Sequence, residues 1–286
     1  MNIIGNIHSD VGIKKQVNQD AACLKVTNTF IGETALAVVC DGMGGFAEGE
    51  VASSSLILAF SEWFETRFHS LLKNGINFEI IRNEWLSIIE DQNKKLCDYG
   101  QQHNVKVGST LTAVLVLGKK YYIVNVGDSR AYEISDALYQ LTDDQTLVSQ
   151  AVKEGKISKY EAVNHPKSHV LSQCVGVTPT VKPDFSEGIY NDTATYMLCS
   201  DGFRHELSDE ELYSALLPSE VFDLKSTKVQ QYTLTETCKS RGEKDNITVV
   251  VFRSVADVPT PDRVTQVLNE EQDELNIYIV HSDKKL

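Results

Sequence analysis

The apolar positions of this chain fall into two kinds of run. Short unbroken stretches rich in β-branched residues, Ala37–Cys40, Thr110–Leu117, Tyr121–Val126, Ala131–Ile134, Tyr196–Cys199 and Ile247–Phe252, predict strands buried on both faces. Longer stretches space their apolar residues by three and four. Glu48–Leu72 carries Val51, Leu56, Ala59, Phe60, Trp63, Phe64 and Phe68 in that rhythm, and Phe78–Cys97 carries Ile81, Trp85, Ile88, Ile89 and Leu96. Both predict amphipathic helices, with Trp85 as core. Further helices are expected around Gln145–Glu154, after an N-cap at Ser208 with Glu211 three residues on, and over much of Val221–Ser240. Residues 1–31 read as strand, polar turn and strand. Many strands with helices in blocks predict an α+β layered sandwich.

Between these runs, residues 143–190 are turn-rich and read as an inserted flap. The remainder beyond Ser254 contains one late apolar run, Leu275–Val280, which has three readings: an edge strand, a segment packed on the sandwich, or a docking element.

Composition narrows the partners. At 286 residues, 42% hydrophobic and 23% charged, the chain has the make-up of a globular protein. Its net charge of −13 supplies no basic surface for nucleic acid or an anionic membrane. There is no stretch of about 18 apolar residues to insert in a membrane, and no evident signal peptide. The six cysteines form no Cys-x-x-Cys pair, and several sit inside apolar runs, so a reduced, cytoplasmic setting is expected.

The candidate chemistry lies where strand runs end. Ala37–Cys40 stops at Asp41-Gly42-Met43-Gly44-Gly45. Asp128 and Asp201 also follow strand-like runs, and Asp245 precedes one, each beside a glycine or an asparagine. These are either four surface turns or one carboxylate constellation. A carboxylate set without nearby imidazole or thiolate suits a hard divalent cation, Mg²⁺ or Mn²⁺, rather than zinc. Two such ions ~3.5–4 Å apart can share a carboxylate and activate a bridging water.

The motifs in order are Ser9-Asp10-Val11-Gly12, Asn18-Gln19-Asp20, Asp41-Gly42-Met43-Gly44-Gly45, Gly108-Ser109-Thr110, Gly127-Asp128-Ser129-Arg130, Ser200-Asp201-Gly202 and Asp245-Asn246-Ile247-Thr248. Over roughly residues 5–253, this order closely resembles the bacterial branch of the type 2C metal-dependent protein phosphatases. The resemblance implies a four-layer αββα sandwich with two central antiparallel sheets, and hydrolysis of phosphoserine and phosphothreonine by a metal-activated water. It implies two Mn²⁺ or Mg²⁺ ions with a possible third. Asp41 would bridge the two, Gly42 would offer its carbonyl, and Asp201 and Asp245 would complete the other site. Asp20 would hold metal-bound water with help from Asn246, and Asp128, with Asp201, would serve the third ion. Met43 stands where some eukaryotic relatives have a proposed histidine acid, so water would protonate the leaving group.

One departure concerns the substrate phosphate. The family's usual arginine, five residues before Asp20, is Lys15 here, which keeps the charge but loses the bidentate fork. Its weaker capture leaves an alternative of a different class: a catalytically weak or inactive relative that binds phosphoproteins. The histidines are expected to be bystanders, with His8 and His205 merely near motifs and His165 shaping a flap turn. The full expectation is a phosphatase domain over residues 1–254, a C-terminal extension over 255–286, a monomeric state, and phosphoprotein substrates supplied by a serine/threonine kinase.

Overall fold

The computed structural model describes residues 2–44, 48–163, 165–255 and 275–280. In chain order the first strands are β1 (Asn2–Asp10), β2 (Asp20–Thr29) and β3 (Gly32–Gly44). The helices α1 (Gly49–Glu62), α2 (Phe68–Lys73) and α3 (Phe78–His103) follow, with a π-helical turn at Trp63–Arg67 joining the first two. Then come β4 (Val107–Ser109), β5 (Leu111–Leu117), β6 (Lys120–Val126), β7 (Arg130–Ile134) and β8 (Leu138–Gln140). Short helices α4 (Leu147–Lys153) and α5 (Lys159–Val163) lead to β9 (Asp184–Ile189) and β10 (Thr195–Cys199). The chain continues through α6 (Asp201–Arg204), α7 (Asp209–Leu216), α8 (Leu224–Arg241), β11 (Ile247–Val255) and β12 (Leu275–Val280).

The strands form two sheets, all pairs antiparallel. One runs β1-β11-β10-β7-β8, the other β12-β2-β3-β5-β6-β9, with β4 paired to the far end of β3. The unbroken apolar runs follow from this layering, because side chains alternate between two buried faces. On β3, Leu36, Val38 and Cys40 pack among residues of α1 and α3 such as Leu56, Phe60 and Trp85. Ala35, Ala37 and Val39 face the other way and meet Tyr196, Leu198, Val250 and Phe252 of the second sheet. That sheet turns Met197, Cys199, Val249 and Val251 outward, onto Leu212 and Leu216 of α7 and Leu234 and Cys238 of α8. Helices, sheet, sheet, helices: the architecture is the αββα sandwich.

Local signals held where they were strong. Ser208 and Glu211 make a reciprocal capping box at the start of α7. Trp85 is fully buried, against Phe60 and Trp63. The flap boundary needs correction. Residues 184–189 are β9, hydrogen-bonded along β6 at the sheet edge, so the inserted segment ends before Asp184. Only Phe185 and Gly188 of this edge strand are half-buried and the rest is exposed, which leaves a weak apolar signal. Of the three readings of Leu275–Val280, the edge strand is the one seen, with Ile277 paired to Lys25 and Ile279 to Cys23. Residues 256–274 and 281–286 lie outside the described residues, as does Gly45 of the glycine-rich motif.

Candidate metal centre

Antiparallel pairing brings the first two carboxylates together. Asp20 opens β2 and Asp41 lies near the end of β3, in register across the ladder. Beyond Asp41 the strand leaves β5 and pairs with β4, Gly42 opposite Ser109. Gly42 donates its N–H to the Gln19 carbonyl at 3.1 Å. A Cβ on Gly42 would lie 2.3 Å from the Gly49 carbonyl oxygen and 2.4 Å from that of Gln19, so glycine alone fits between these backbones.

The other motifs converge by hydrogen bonds that no sequence spacing reveals. Thr110 Oγ1 accepts from the Asp41 N–H at 2.9 Å and pairs with Ser129 Oγ at 2.7 Å, tying the Gly108 and Gly127 motifs to Asp41. Ser200 Oγ donates to Asp20 Oδ2 at 2.8 Å and accepts from the Thr248 N–H at 3.1 Å. Asn246 Oδ1 accepts from the Gln19 N–H at 2.9 Å, and its Nδ2 donates to the carbonyls of Val11 and Val17 at 3.0 and 3.2 Å. Asn246 therefore fastens the β1–β2 connection beside Asp245. Gly12 is needed there too: its φ is +77°, and a Cβ would sit 2.3 Å from the Asp245 carbonyl oxygen.

Electrostatics shows that the carboxylates share one space. The Asp41 carboxyl is pushed well above the usual range by burial, then by the charges of Asp20, Asp201, Asp128 and Asp245. Burial pushes Asp20 up to about 7, with Asp201 and Asp245 adding to it against hydrogen bonds from Thr248 and Ser200. Asp128 is likewise pushed up to about 7 by burial and by Asp201, against the Arg204 guanidinium. Lys15 Nζ lies 2.7 Å from Asp245 Oδ1. Burial opposes its charge, but the carboxylates of Asp245, Asp41 and Asp20 outweigh that and raise its pKa. Arg204 Nη2 stands 3.9 Å from Asp128 Oδ2 and 3.7 Å from Asp144 Oδ2, while Arg130 forks onto Asp144 at 2.7 Å through both arms.

This donor set fits hard divalent cations. It is all oxygen, strongly repulsive by itself, and it includes a buried Asp201 Oδ1 with no hydrogen-bond partner. Every carboxylate singled out from the sequence, Asp20, Asp41, Asp128, Asp201 and Asp245, reaches this cluster, with Gly42 and Asn246 beside it. Cys40 and Cys199 are fully buried, and burial raises both thiols, Cys199 to about 12, so they are inert packing.

His205, expected from the sequence to be a bystander, stands against this cluster. Its Nε2 lies 3.5 Å from Asp201 Oδ2 and its Nδ1 3.5 Å from Glu243 Oε2. An aspartate four residues before a histidine was the available signal, since a helix puts i and i+4 on one face. Nothing comparable marked Arg204 or Glu243. Ser200 and Thr248 stood inside quoted motifs, but with no role attached to them.

A cluster of carboxylates at strand ends of a double-sheet sandwich has the chemistry of a centre for oxygen-ligated divalent ions. Comparison with known proteins names the family. The model of the family Protein phosphatase 2C matches residues 5–236. The serine/threonine phosphatase stp of Listeria monocytogenes is 33% identical over 225 residues, covering 76% of this chain and 83% of the relative. The protein phosphatase PhpP of Streptococcus pneumoniae is 28% identical over 246 residues, covering 85% and 94%. Among solved structures, the serine/threonine phosphatase of S. agalactiae superposes with a TM-score of 0.76 at 28% identity, over 89% of this chain and all of that one. The catalytic domain of the phosphatase PstP, solved with two manganese ions, gives 0.70 at 27% identity, over 89% and 99%. The chain belongs to the protein phosphatase 2C family.

Proposed function

We propose that Asp41, Asp201 and Asp245 form the catalytic metal centre, in which Asp20 and the Gly42 carbonyl help to hold two divalent ions and Asp128, with Asp201, serves a weaker third. The chain is a metal-dependent protein serine/threonine phosphatase, a phosphoric monoester hydrolase. The observation that carries the site assignment is the convergence of five carboxylates on one space: Asp20 faces Asp41 across the ladder, and the charges of Asp20, Asp201, Asp128 and Asp245 all bear on Asp41.

Bound there, Mn²⁺ or Mg²⁺ would supply Lewis acidity, lowering the pKa of water and offsetting the charge of the phosphate. The protein's own part is positional. Ser200 orients Asp20 by donating to it, Thr110 fixes the Asp41 backbone, and Asn246 holds the loop that carries Lys15 against Asp245. Lys15, part-exposed at the rim, can offer its ammonium to a phosphate dianion. Met43 has no proton to give, so the leaving serine or threonine alkoxide takes its proton from water. The overall change is water plus phosphomonoester to alcohol plus phosphate, with no covalent enzyme intermediate.

This reading includes a cytoplasmic, signalling role as a monomer that opposes a serine/threonine kinase. It takes residues 1–254 as the phosphatase domain and 255–286 as an extension whose role is its own. No helix among the described residues is long and apolar enough to cross a membrane. A second reading, a weakly active phosphoprotein-binding relative, draws on one observation: Lys15 is paired with Asp245 rather than standing clear for substrate.

Hydrolysis of p-nitrophenyl phosphate with Mn²⁺ separates the two readings. Asp41→Ala and Asp245→Ala should each lower kcat by ~10³-fold or more, the loss of several kcal/mol of charge stabilisation. Equal rates in parent and variants would overturn the assignment, and a parent with tight Mn²⁺ binding but negligible turnover would favour the binding module.

A further inference from the structure

A second donor set borders the carboxylate cluster, and its chemistry differs. His169, from the flap segment, comes beside His205 of the α6 end, their rings edge-to-face with centroids 5.0 Å apart. One ligand atom each from His169, His205 and Asp201 lie within 4.8 Å of one another. Two imidazoles and one carboxylate make a facial donor set of the kind that borderline divalent ions occupy.

His205 is prepared as a ligand. Its Nδ1 faces Glu243 Oε2, and Glu243 is itself fixed, being buried and accepting the Lys244 and Asp245 N–H groups at 2.6 and 2.9 Å through its other oxygen. A carboxylate behind the distal nitrogen selects the Nδ1–H tautomer and turns the Nε2 lone pair toward Asp201, the arrangement that supports metal-bound histidines. His169 is exposed, yet the backbone next to it is anchored: the Val170 carbonyl accepts from Leu147 at 2.8 Å, and Leu171 bridges to Thr146. Ligand atoms on one zinc ion, at ~2.0–2.1 Å from it, stand about 3.3 Å apart. Rotation of the exposed His169 side chain can close the remaining gap.

We propose that His169, His205 and Asp201 form a further site, adjoining the carboxylate centre, for a borderline divalent ion of the Zn²⁺ class, which fastens the flap to the end of α6. Asp201 is common to this site and to the carboxylate centre, while Asp20, Asp41, Asp128 and Asp245 take no part. An ion here would tie the flap segment at His169 to the end of α6, beside the carboxylate cluster.

The test is Zn²⁺ binding to the full chain in excess Mg²⁺, which fills oxygen sites and competes poorly for imidazole. The expected result is one Zn²⁺ equivalent for the parent, weakened at least tenfold by His169→Ala and unchanged by His165→Ala, a flap histidine outside the set. Co²⁺ in place of Zn²⁺ should give a visible absorption band that His169→Ala abolishes. Zn²⁺ should also slow tryptic cleavage after Lys167 in the parent and not in His169→Ala. Equal Zn²⁺ affinity in parent and His169→Ala, or no Zn²⁺ bound in excess Mg²⁺, would overturn the site. Zn²⁺ binding without protection at Lys167 would overturn the fastening of the flap. Separate Mn²⁺ titration without Mg²⁺ reads the carboxylate centre, so failure of one site is distinguished from failure of the other.

Discussion

Asp20 and Asp41 stand opposite each other across the β2–β3 ladder, two carboxylates held in register where like charges repel. Such a pairing is destabilising while both groups are ionised, and protonation or a cation between the strands' ends relieves it. The backbone hydrogen bonds around it, Gly42 to Gln19 and Asp41 to Thr110, prevent the strands from splaying to relieve the repulsion.

That relationship sets the pH behaviour of metal-free protein. Asp20 and Asp128 are raised from 3.8 to about 7, so between these values the folded state binds more protons than the unfolded state. Their protonation stabilises the fold fully below pH ~4, and that stabilisation is lost as pH rises through about 7. In EDTA the melting temperature should therefore fall from pH 5 to pH 8. Mn²⁺ at pH 8 should restore it by about 5 °C or more. A flat profile in EDTA would contradict the coupling.

Ser200 is the residue whose loss should lower metal affinity and stability together. Ser200→Ala removes the donor to Asp20 and the acceptor for Thr248, leaving a buried N–H that costs about 1–3 kcal/mol. Metal affinity should drop by ~10–100-fold, as for other groups that orient ligands. Calorimetric titration with Mn²⁺ gives the affinity, and urea unfolding gives the stability.

Gly42→Ala should be more damaging than its size suggests. The added methyl meets two backbone carbonyl oxygens, those of Gly49 and Gln19, and neither can swing aside as a side chain would. A loss of about 1–3 kcal/mol in stability is expected from overpacking, together with a large loss of Mn²⁺-dependent turnover. Denaturant titration and p-nitrophenyl phosphate assays on the same preparation check both.

Lys15 should act on substrate capture more than on the chemical step. Lys15→Arg restores the bidentate fork and should lower KM for phosphopeptides severalfold, whereas Lys15→Ala should raise it with a smaller change in kcat. Steady-state kinetics on a phosphothreonine peptide would show the opposite split if Lys15 served only to neutralise Asp245.

The apolar runs marked the central strands and the long helices α1 and α3, because burial on two faces demands unbroken hydrophobic stretches and burial on one face of a helix demands a 3.6-residue rhythm. The order of seven short motifs pointed to the family and to Asp20, Asp41, Asp128, Asp201 and Asp245 as a set. Both are local properties, written in neighbouring residues. The tertiary structure decided what depends on distant segments meeting. It made β9 an edge strand of the sheet rather than part of the flap, and it set β12 beside β2 across an intervening stretch of sequence. It linked Thr110 to Ser129 and Ser200 to Asp20, 180 residues apart. It also turned His205 toward both Asp201 and Glu243 and laid His169 of the flap against it. A side chain's chemistry is carried by its identity, but its partners are fixed by packing, and packing is not local.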